Sequence, residues 1–242
     1  MLGGVLRVLW GFGVHVACAL VAIPAYAADL PGRIEPDPPR TVVVPPVVAA
    51  PPPTQYSVFV FGGRMSTTDI YSTAVWNLIR NDINKPYDNW IVGVAFQKDI
   101  WRWGKFAIGA EIGLADRFGR YERCCDVIVR SSSLLHSGEL WGGVVLRHDG
   151  YLLFNAVQIG AGVVGGFSAV TKSIGRERER EITQGGNAVF LFYMGAELTF
   201  STPAAPNLEL VTRLHHRSGA SGVLGGMSEG YNVSVVGLRW RF

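Results

Sequence analysis

Residues 105–117 read KFAIGAEIGLADR, and apolar residues in this stretch alternate with polar or small ones. From Phe106 to Leu114, one parity carries apolar side chains, those of Phe106, Ile108, Ala110, Ile112 and Leu114. The other parity carries Lys105, Gly109, Glu111, Gly113 and Arg117. Because successive side chains of a strand point to opposite faces, the stretch predicts a β-strand with one apolar and one polar face.

The same alternation recurs towards the C-terminus. In residues 192–200, Glu197 has the parity opposite to an apolar face. In residues 236–242, two arginines have the parity opposite to an apolar face that ends in Phe242. Glutamates and arginines on one face can pair, which burial of a charge requires. A membrane barrel needs lipid contact outside and a polar lumen inside, whereas a soluble barrel or sandwich turns its apolar face inward. The pattern therefore favours a membrane barrel.

Strand patterns occur eight times between breaks. The predicted strands are 56–64, 88–98, 105–117, 133–147, 151–168, 189–200, 207–218 and 231–242. The connections are alternately long and short, at 65–87, 99–104, 118–132, 148–150, 169–188, 201–206 and 219–230. Long extracellular loops alternate with short periplasmic turns when both termini are periplasmic. We predict an all-β protein, an eight-stranded antiparallel outer-membrane β-barrel.

The N-terminal region predicts export. Arg7 precedes a mostly apolar run of 16 residues, Val8 to Ile23. After Pro24 comes the small-residue triplet Ala25-Tyr26-Ala27. Such a run is shorter than the roughly 20 residues that span a bilayer. We predict a signal peptide at 1–27, cleaved near Ala27. Residues 31–54 hold nine of the thirteen prolines, so 28–54 is predicted to be a periplasmic linker and 55–242 the barrel.

Other features exclude several classes of function. Loss of Arg7 with the signal peptide leaves 21 basic and 19 acidic residues, a net charge of +2, and nothing indicates nucleic-acid binding. The alternating run at 176–181 is interpreted as a solvated hairpin extension. Cys124 and Cys125 are adjacent and are not counted as a stabilising disulfide. The spacing of histidines and carboxylates predicts no metal site and no cofactor.

The last hairpin, residues 208–242, carries the candidate site. Leu208, Leu210 and Leu214 mark the lipid-facing parity of its first strand. His216 and Ser218 share that parity, and they lie where the strand reaches the extracellular rim. A histidine and a serine at i and i+2 lie on one face, so they can act as base and nucleophile. Alternatively, they are polar residues at the membrane interface without a chemical role.

The segment His216-Arg217-Ser218-Gly219-Ala220, in the last hairpin of a predicted eight-stranded barrel that ends in Phe242, resembles the lipid A 3-O-deacylase (PagL) family of acyloxyacyl hydrolases of the outer membrane. The resemblance implies a serine esterase whose active site faces lipid, with His216 as general base and Ser218 as nucleophile. It also implies removal of the ester-linked 3-hydroxyacyl chain at position 3 of lipid A, without a cofactor.

The chain departs from the family pattern at two places. Gly219-Ala220-Ser221 stands where the family has Asn-Ala-Gly, so backbone N–H groups near Gly219 would have to serve the oxyanion. The family's acid falls at Gly230, but a loop two residues longer would put Asn232 in the place that orients the histidine. Glu229 is the alternative, with the right charge and the wrong parity.

The partners expected are the membrane and lipopolysaccharide of the outer leaflet. Phe242 after Trp240 resembles the C-terminal signal by which outer-membrane proteins engage their assembly machinery. The alternative function is a non-enzymatic small barrel that anchors or displays loops.

Overall fold

The computed structural model of the protein describes residues 55–66, 89–124 and 127–242. Its strands are β1 (Tyr56–Ser66), β2 (Asn89–Trp103), β3 (Phe106–Cys124), β4 (Val127–Leu153), β5 (Val157–Val170), β6 (Phe190–Thr202), β7 (Ala205–Ser218) and β8 (Asn232–Arg241). A helix, α1 (Gly175–Gln184), follows β5. No helix in the described part of the chain is long and apolar enough to cross a membrane.

The strands form one closed antiparallel ring. Each strand pairs with its neighbours in sequence, and β1 closes the ring on β8, where Phe59 pairs with Arg239. Closure leaves no strand edge with unpaired backbone groups, which is what a bilayer demands of a sheet. The prediction of an all-β, eight-stranded antiparallel barrel of outer-membrane type is confirmed.

The barrel is apolar outside and charged inside. The outward face exposes large apolar side chains over most strands, including those of Val60, Val94, Ile112, Leu114, Val144, Leu198, Leu238 and Trp240. The lumen buries Glu111, Arg117, Glu139, Glu197, Arg213, His215, Arg217 and Arg239. This distribution is the reverse of that in a soluble barrel, and it matches a wall that contacts lipid.

Ion pairs fill the middle of the lumen. Arg213 Nη2 lies 2.7 Å from Glu111 Oε2 and 2.8 Å from Glu197 Oε2. Arg239 Nη2 lies 2.7 Å from the same oxygen of Glu197. The indole N–H of Trp141 donates to Glu111 over 2.7 Å. Each buried charge therefore has an opposite charge within contact, as low-dielectric burial requires.

Two predicted connections are wrong. His148-Asp149-Gly150 was expected to form a turn, but β4 runs on to Leu153, and the register shifts between His148 and Tyr151. Gly150 adopts φ 80, and a Cβ on it would stand 1.6 Å from Ile159 O. The tripeptide is therefore a β-bulge, for which glycine suits the left-handed position. The chain turns at 154–156 instead.

The segment 118–132 was predicted to be a long loop, but most of it is strand. β3 continues to Cys124, and β4 begins at Val127. The ladder resumes after a register shift between Gly119 and Tyr121, so the hairpin extends beyond the alternating core pattern. Cys125, the predicted signal peptide 1–27 and the predicted linker 28–54 lie outside the described residues.

The alternating run at 176–181 is helical, so its interpretation as a solvated hairpin extension is wrong. In a strictly alternating run, residues three apart have opposite signs, and such neighbours attract on a helix surface. Arg178 pairs with Glu181 over 2.5 Å in this way. Glu177 of the same run is fully buried. The helix therefore has an inner face that contacts the barrel and an outer face that is charged.

Val144 tests the membrane-facing surface. It is 62% exposed on the outward face of β4, between Ala110 and Gly165 of the adjoining strands. We expect Val144→Arg to lower the free energy of unfolding by about 2–4 kcal/mol, because arginine must then enter hydrocarbon. Urea unfolding in lipid vesicles measures the change.

Val223→Arg is the matched control, since Val223 is exposed in the 219–231 loop, outside the strands. We expect it to change the free energy of unfolding by less than about 0.5 kcal/mol. Equal stability of both variants in vesicles would contradict a lipid-facing outer wall.

Candidate functional site

The β7–β8 hairpin brings two predicted site residues together. His216 of β7 pairs in register with Asn232 of β8, and His216 Nδ1 lies 2.5 Å from Asn232 Oδ1. Both residues share the outward parity of the leucines below them, Leu208 and Leu210. Yet His216 is only 8% exposed and Asn232 is fully buried. The pair therefore sits in the outer wall, sheltered at the end of the strands where the 219–231 loop begins.

The hydrogen bond fixes which ring nitrogen can act as a base. With Asn232 Oδ1 as the acceptor, Nδ1 carries the imidazole proton, and the neutral ring then has its lone pair on Nε2. An asparagine can thus hold the tautomer that a general base needs, although it supplies no negative charge to stabilise the imidazolium.

Ser218 lies on the same strand face, two residues beyond His216. It is half-buried, and its hydroxyl donates to Ser228 O over 2.9 Å and accepts from the N–H of Ala220 over 3.0 Å. Among the described residues, no hydrogen bond joins Ser218 to His216. Ser218 therefore lies on the predicted face, and in this structure its hydroxyl bonds to the 219–231 loop.

Glu229, the alternative third member, has a different partner. Its carboxylate lies 2.7 Å from Arg180 Nη2 of α1. Burial lowers the pKa of the Arg180 guanidinium, and the carboxylate of Glu229 opposes that shift. Asn232, not Glu229, makes the hydrogen bond to His216, in agreement with the outward parity of Asn232.

The 219–231 loop that follows Ser218 is compact. Gly219 has no room for a side chain, because a Cβ on it would stand 2.0 Å from Met227 O. Gly222 N–H donates to the same carbonyl over 2.9 Å, and Leu224 N–H donates to Gly219 O over 2.9 Å. Met227 is buried against Leu191. The loop is therefore compactly folded, and its backbone carbonyl at Ser228 is within hydrogen-bond distance of Ser218.

His215 and Arg213, which have the parity opposite to that of His216, lie in the lumen. His215 Nε2 lies 3.0 Å from Glu139 Oε1, and both side chains are fully buried. Glu177 contacts the lumenal residue Arg217, which the interpretation of the 176–181 run as a hairpin extension did not predict. The opposite charges at i and i+3 in the 176–181 run were a signal for the helix that carries it.

No group of three or more histidine, cysteine, aspartate or glutamate side chains in residues 55–66, 89–124 and 127–242 is arranged to hold a metal ion. The site therefore consists of an imidazole, a carboxamide and a hydroxyl.

No protein-family model and no curated protein matches the chain. Among solved structures, the crystal structure of the outer membrane enzyme PagL is similar at 11% identity and a TM-score of 0.44, over 77% of this chain and 99% of that one. The Yersinia pestis outer membrane protein Ail is similar at 10% identity in a bilayer nanodisc, with a TM-score of 0.36 over 78% of this chain and 99% of that one. The crystal structure of Ail is similar at 10% identity and a TM-score of 0.33, over 78% of this chain and 97% of that one. Since all three scores are below 0.5, these likenesses carry no inference about function.

The His216–Asn232 hydrogen bond predicts a tautomer. In nitrogen-15 spectra of histidine-labelled protein, we expect neutral His216 to carry its proton on Nδ1, with Nε2 unprotonated. Asn232→Ala should abolish this preference, because the acceptor is removed. A protonated Nε2 in the wild-type ring at neutral pH would contradict the geometry.

Proposed function

We propose that the protein is an outer-membrane serine esterase that removes the ester-linked 3-hydroxyacyl chain at position 3 of lipid A. The observation that carries this proposal is the His216–Asn232 hydrogen bond on the outward face of the barrel, with Ser218 two residues away on the same face. A buried histidine held in one tautomer beside a serine is the arrangement that nucleophilic acyl transfer uses.

The reaction begins when Ser218 rotates away from Ser228 O and its Oγ attacks the ester carbonyl carbon. The hydroxyl proton moves to His216 Nε2. The bond between the carbonyl carbon and the sugar oxygen then breaks, and that oxygen takes the proton from His216. Water, deprotonated by His216, attacks the hydroxyacyl-serine, and the fatty acid leaves as Ser218 recovers its proton. A backbone N–H at Gly219 is our candidate oxyanion donor.

The surroundings of Ser218 support a lipid substrate. Phe192 lies directly across from Ser218 on β6 and stacks on Phe167 of β5, with ring centroids 5.3 Å apart. Phe167 and Phe190 are about half exposed on the outer wall. An acyl chain in the membrane can contact this aromatic surface without entering a pocket. With periplasmic termini, as the loop lengths predict, this surface faces the outer leaflet and its lipopolysaccharide.

Position 3 of lipid A comes from the resemblance of residues 216–220 to the deacylase family. The signal peptide predicted at 1–27 and the terminal Phe242 are consistent with export and with recognition by the outer-membrane assembly machinery. Phe242 is exposed and stacks on Tyr56 of β1, with ring centroids 6.1 Å apart.

A non-enzymatic barrel is the second candidate. The observation that favours it is the pair of hydrogen bonds from Ser218 to Ser228 O and from the Ala220 N–H to Ser218. These bonds are sufficient to give the hydroxyl a structural role in closing the loop.

Lipid A from a Gram-negative host that expresses the chain tests the proposal. We expect mass spectrometry to show the loss of one 3-hydroxyacyl chain with the wild type. Ser218→Ala and His216→Ala should each slow deacylation by about a thousandfold or more, because nucleophile and base act as a unit.

Two matched variants show whether removing a serine or a histidine elsewhere on the barrel also changes deacylation. Ser221→Ala changes an exposed serine of the same loop, and His136→Ala changes another outer-wall histidine, which contacts Asp116 over 2.8 Å. Both should deacylate like the wild type. Unchanged lipid A with a folded wild-type barrel would overturn the esterase proposal and favour the structural one.

Asn232→Asp tests the orienting role. A carboxylate beside His216 stabilises the imidazolium that forms as Ser218 attacks, so we expect kcat on lipid A to rise by about tenfold or more. Asn232→Ala should lower kcat. A folded Asn232→Asp variant with unchanged or reduced kcat would show that Asn232 is not the orienting residue.

A further inference from the structure

Residues that alternate with the site residues point into the lumen. Arg217 lies between His216 and Ser218, and Tyr231 precedes Asn232; both side chains are fully buried inside the barrel. The backbones of these two residues are joined, since Arg217 N–H donates to Tyr231 O over 3.0 Å. Any displacement of this lumenal pair therefore moves the outward residues on either side of it.

Glu177 of α1 closes the mouth of the lumen. One carboxylate oxygen lies 2.6 Å from Arg117 Nη1, and the other accepts from Arg217 Nη1. All three side chains are fully buried. Arg217 Nη2 also donates to Ala188 O over 2.9 Å, in the segment after α1. Arg217 Nε donates to Ser168 Oγ of β5 over 2.9 Å. The inner contacts of the His216–Ser218 segment thus include a carboxylate supplied by another loop, and it is the one that balances the charge of Arg217 most closely.

The same helix holds the other end of the site. Arg180 Nη1 donates to Gly230 O over 2.9 Å, two residues before Asn232, and Nη2 pairs with Glu229. Gln184 Oε1 accepts from the N–H of Ser228 over 2.6 Å. Ser228 is also the residue whose carbonyl accepts the hydrogen bond from the Ser218 hydroxyl. Helix α1 therefore contacts β7 through Arg217 and the 219–231 loop through Ser228, Glu229 and Gly230.

We propose that α1 is a positioning element for the site, with Glu177 and Arg180 as its positioning residues. Glu177 fixes Arg217, and so the direction of His216 and Ser218 on the opposite face of the same strand. Arg180 fixes the peptide at Gly230, and so the entry of the chain into Asn232. This inference rests on the proposed function for its kinetic consequence, but not for its effect on the geometry of His216.

The physical reason is the cost of leaving a buried charge unpaired. Without the carboxylate of Glu177, the buried guanidinium groups of Arg117 and Arg217 lose the anion that they share. The remaining carboxylate near Arg217 is that of Glu139, 3.8 Å away, so we expect Arg217 to shift towards it. A displacement of about 1 Å at the reacting atoms can reduce a rate about a hundredfold. A residue that acts this way changes kcat while substrate contacts, and so KM, remain.

The experiment compares Glu177→Gln and Arg180→Gln with Glu181→Gln, using the full chain in lipid vesicles. Glu181 lies on the same helix, but its carboxylate contacts Ser173, Arg178 and Ala188, all within the 171–189 segment. Three quantities are measured: heat-modifiable migration on gels, which reports the folded barrel, kcat and KM on lipid A, and the nitrogen-15 signal of His216.

We expect Glu177→Gln and Arg180→Gln to fold, to lower kcat about 10- to 100-fold with KM within about twofold, and to weaken the Nδ1-protonated signal of His216. Glu181→Gln should match the wild type in all three. Folded Glu177→Gln and Arg180→Gln variants with wild-type kcat and His216 signal would overturn the inference. Should Glu177→Gln fail to fold, Arg180→Gln alone decides by the same criteria.

The failure of the proposed function gives a different result. In this outcome, the wild type leaves lipid A intact while Glu177→Gln alters the nitrogen-15 signal of His216 and Glu181→Gln does not. That result would overturn the esterase proposal but support the positioning role of Glu177. If the wild type deacylates lipid A and all three variants do so equally well, the esterase proposal stands and the positioning role is excluded.

Discussion

Ion pairs between buried carboxylates and guanidinium groups fill the lumen, from Arg239 on the last strand to Glu177 at the mouth. Removing an ion from water costs several kcal/mol, and the cost is offset only where an opposite charge and further hydrogen bonds meet it. Arg213 satisfies this condition between Glu111 and Glu197. Because the lipid-facing part of the outer wall must be apolar, the charges at that level lie in the lumen, where their ion pairs join β3, β6, β7 and β8.

Strand alternation transmits that order to the outer surface. His216 and Ser218 face outward, while His215 and Arg217 between and beside them are held by Glu139 and Glu177 inside. A site on a lipid-facing wall has no pocket to shape it, so its precision must come from the opposite side of the strand. The proposed site and the buried ion pairs therefore lie on opposite faces of one hairpin.

The sequence predicted whatever depends on a period of two. Parity predicted that His216 and Ser218 face outward, because a strand leaves no other choice of face, and the resemblance to the deacylase family added Asn232 as the partner of His216. It could not show that His148-Asp149-Gly150 is a bulge, since a glycine with positive φ suits a bulge and a turn alike. Nor could it identify the partner of Glu177, because a contact with Arg117, 60 residues away, depends on ring closure.

The central claim is that Ser218 is an activated nucleophile on the outer wall. The most direct measurement is exposure of the folded, vesicle-embedded protein to a lipid-soluble fluorophosphonate, which forms a stable adduct with activated serines, followed by peptide mass mapping. The account predicts one adduct, on Ser218, and its loss in His216→Ala. An unmodified Ser218, or the same adduct on Ser218 with and without His216, would contradict it.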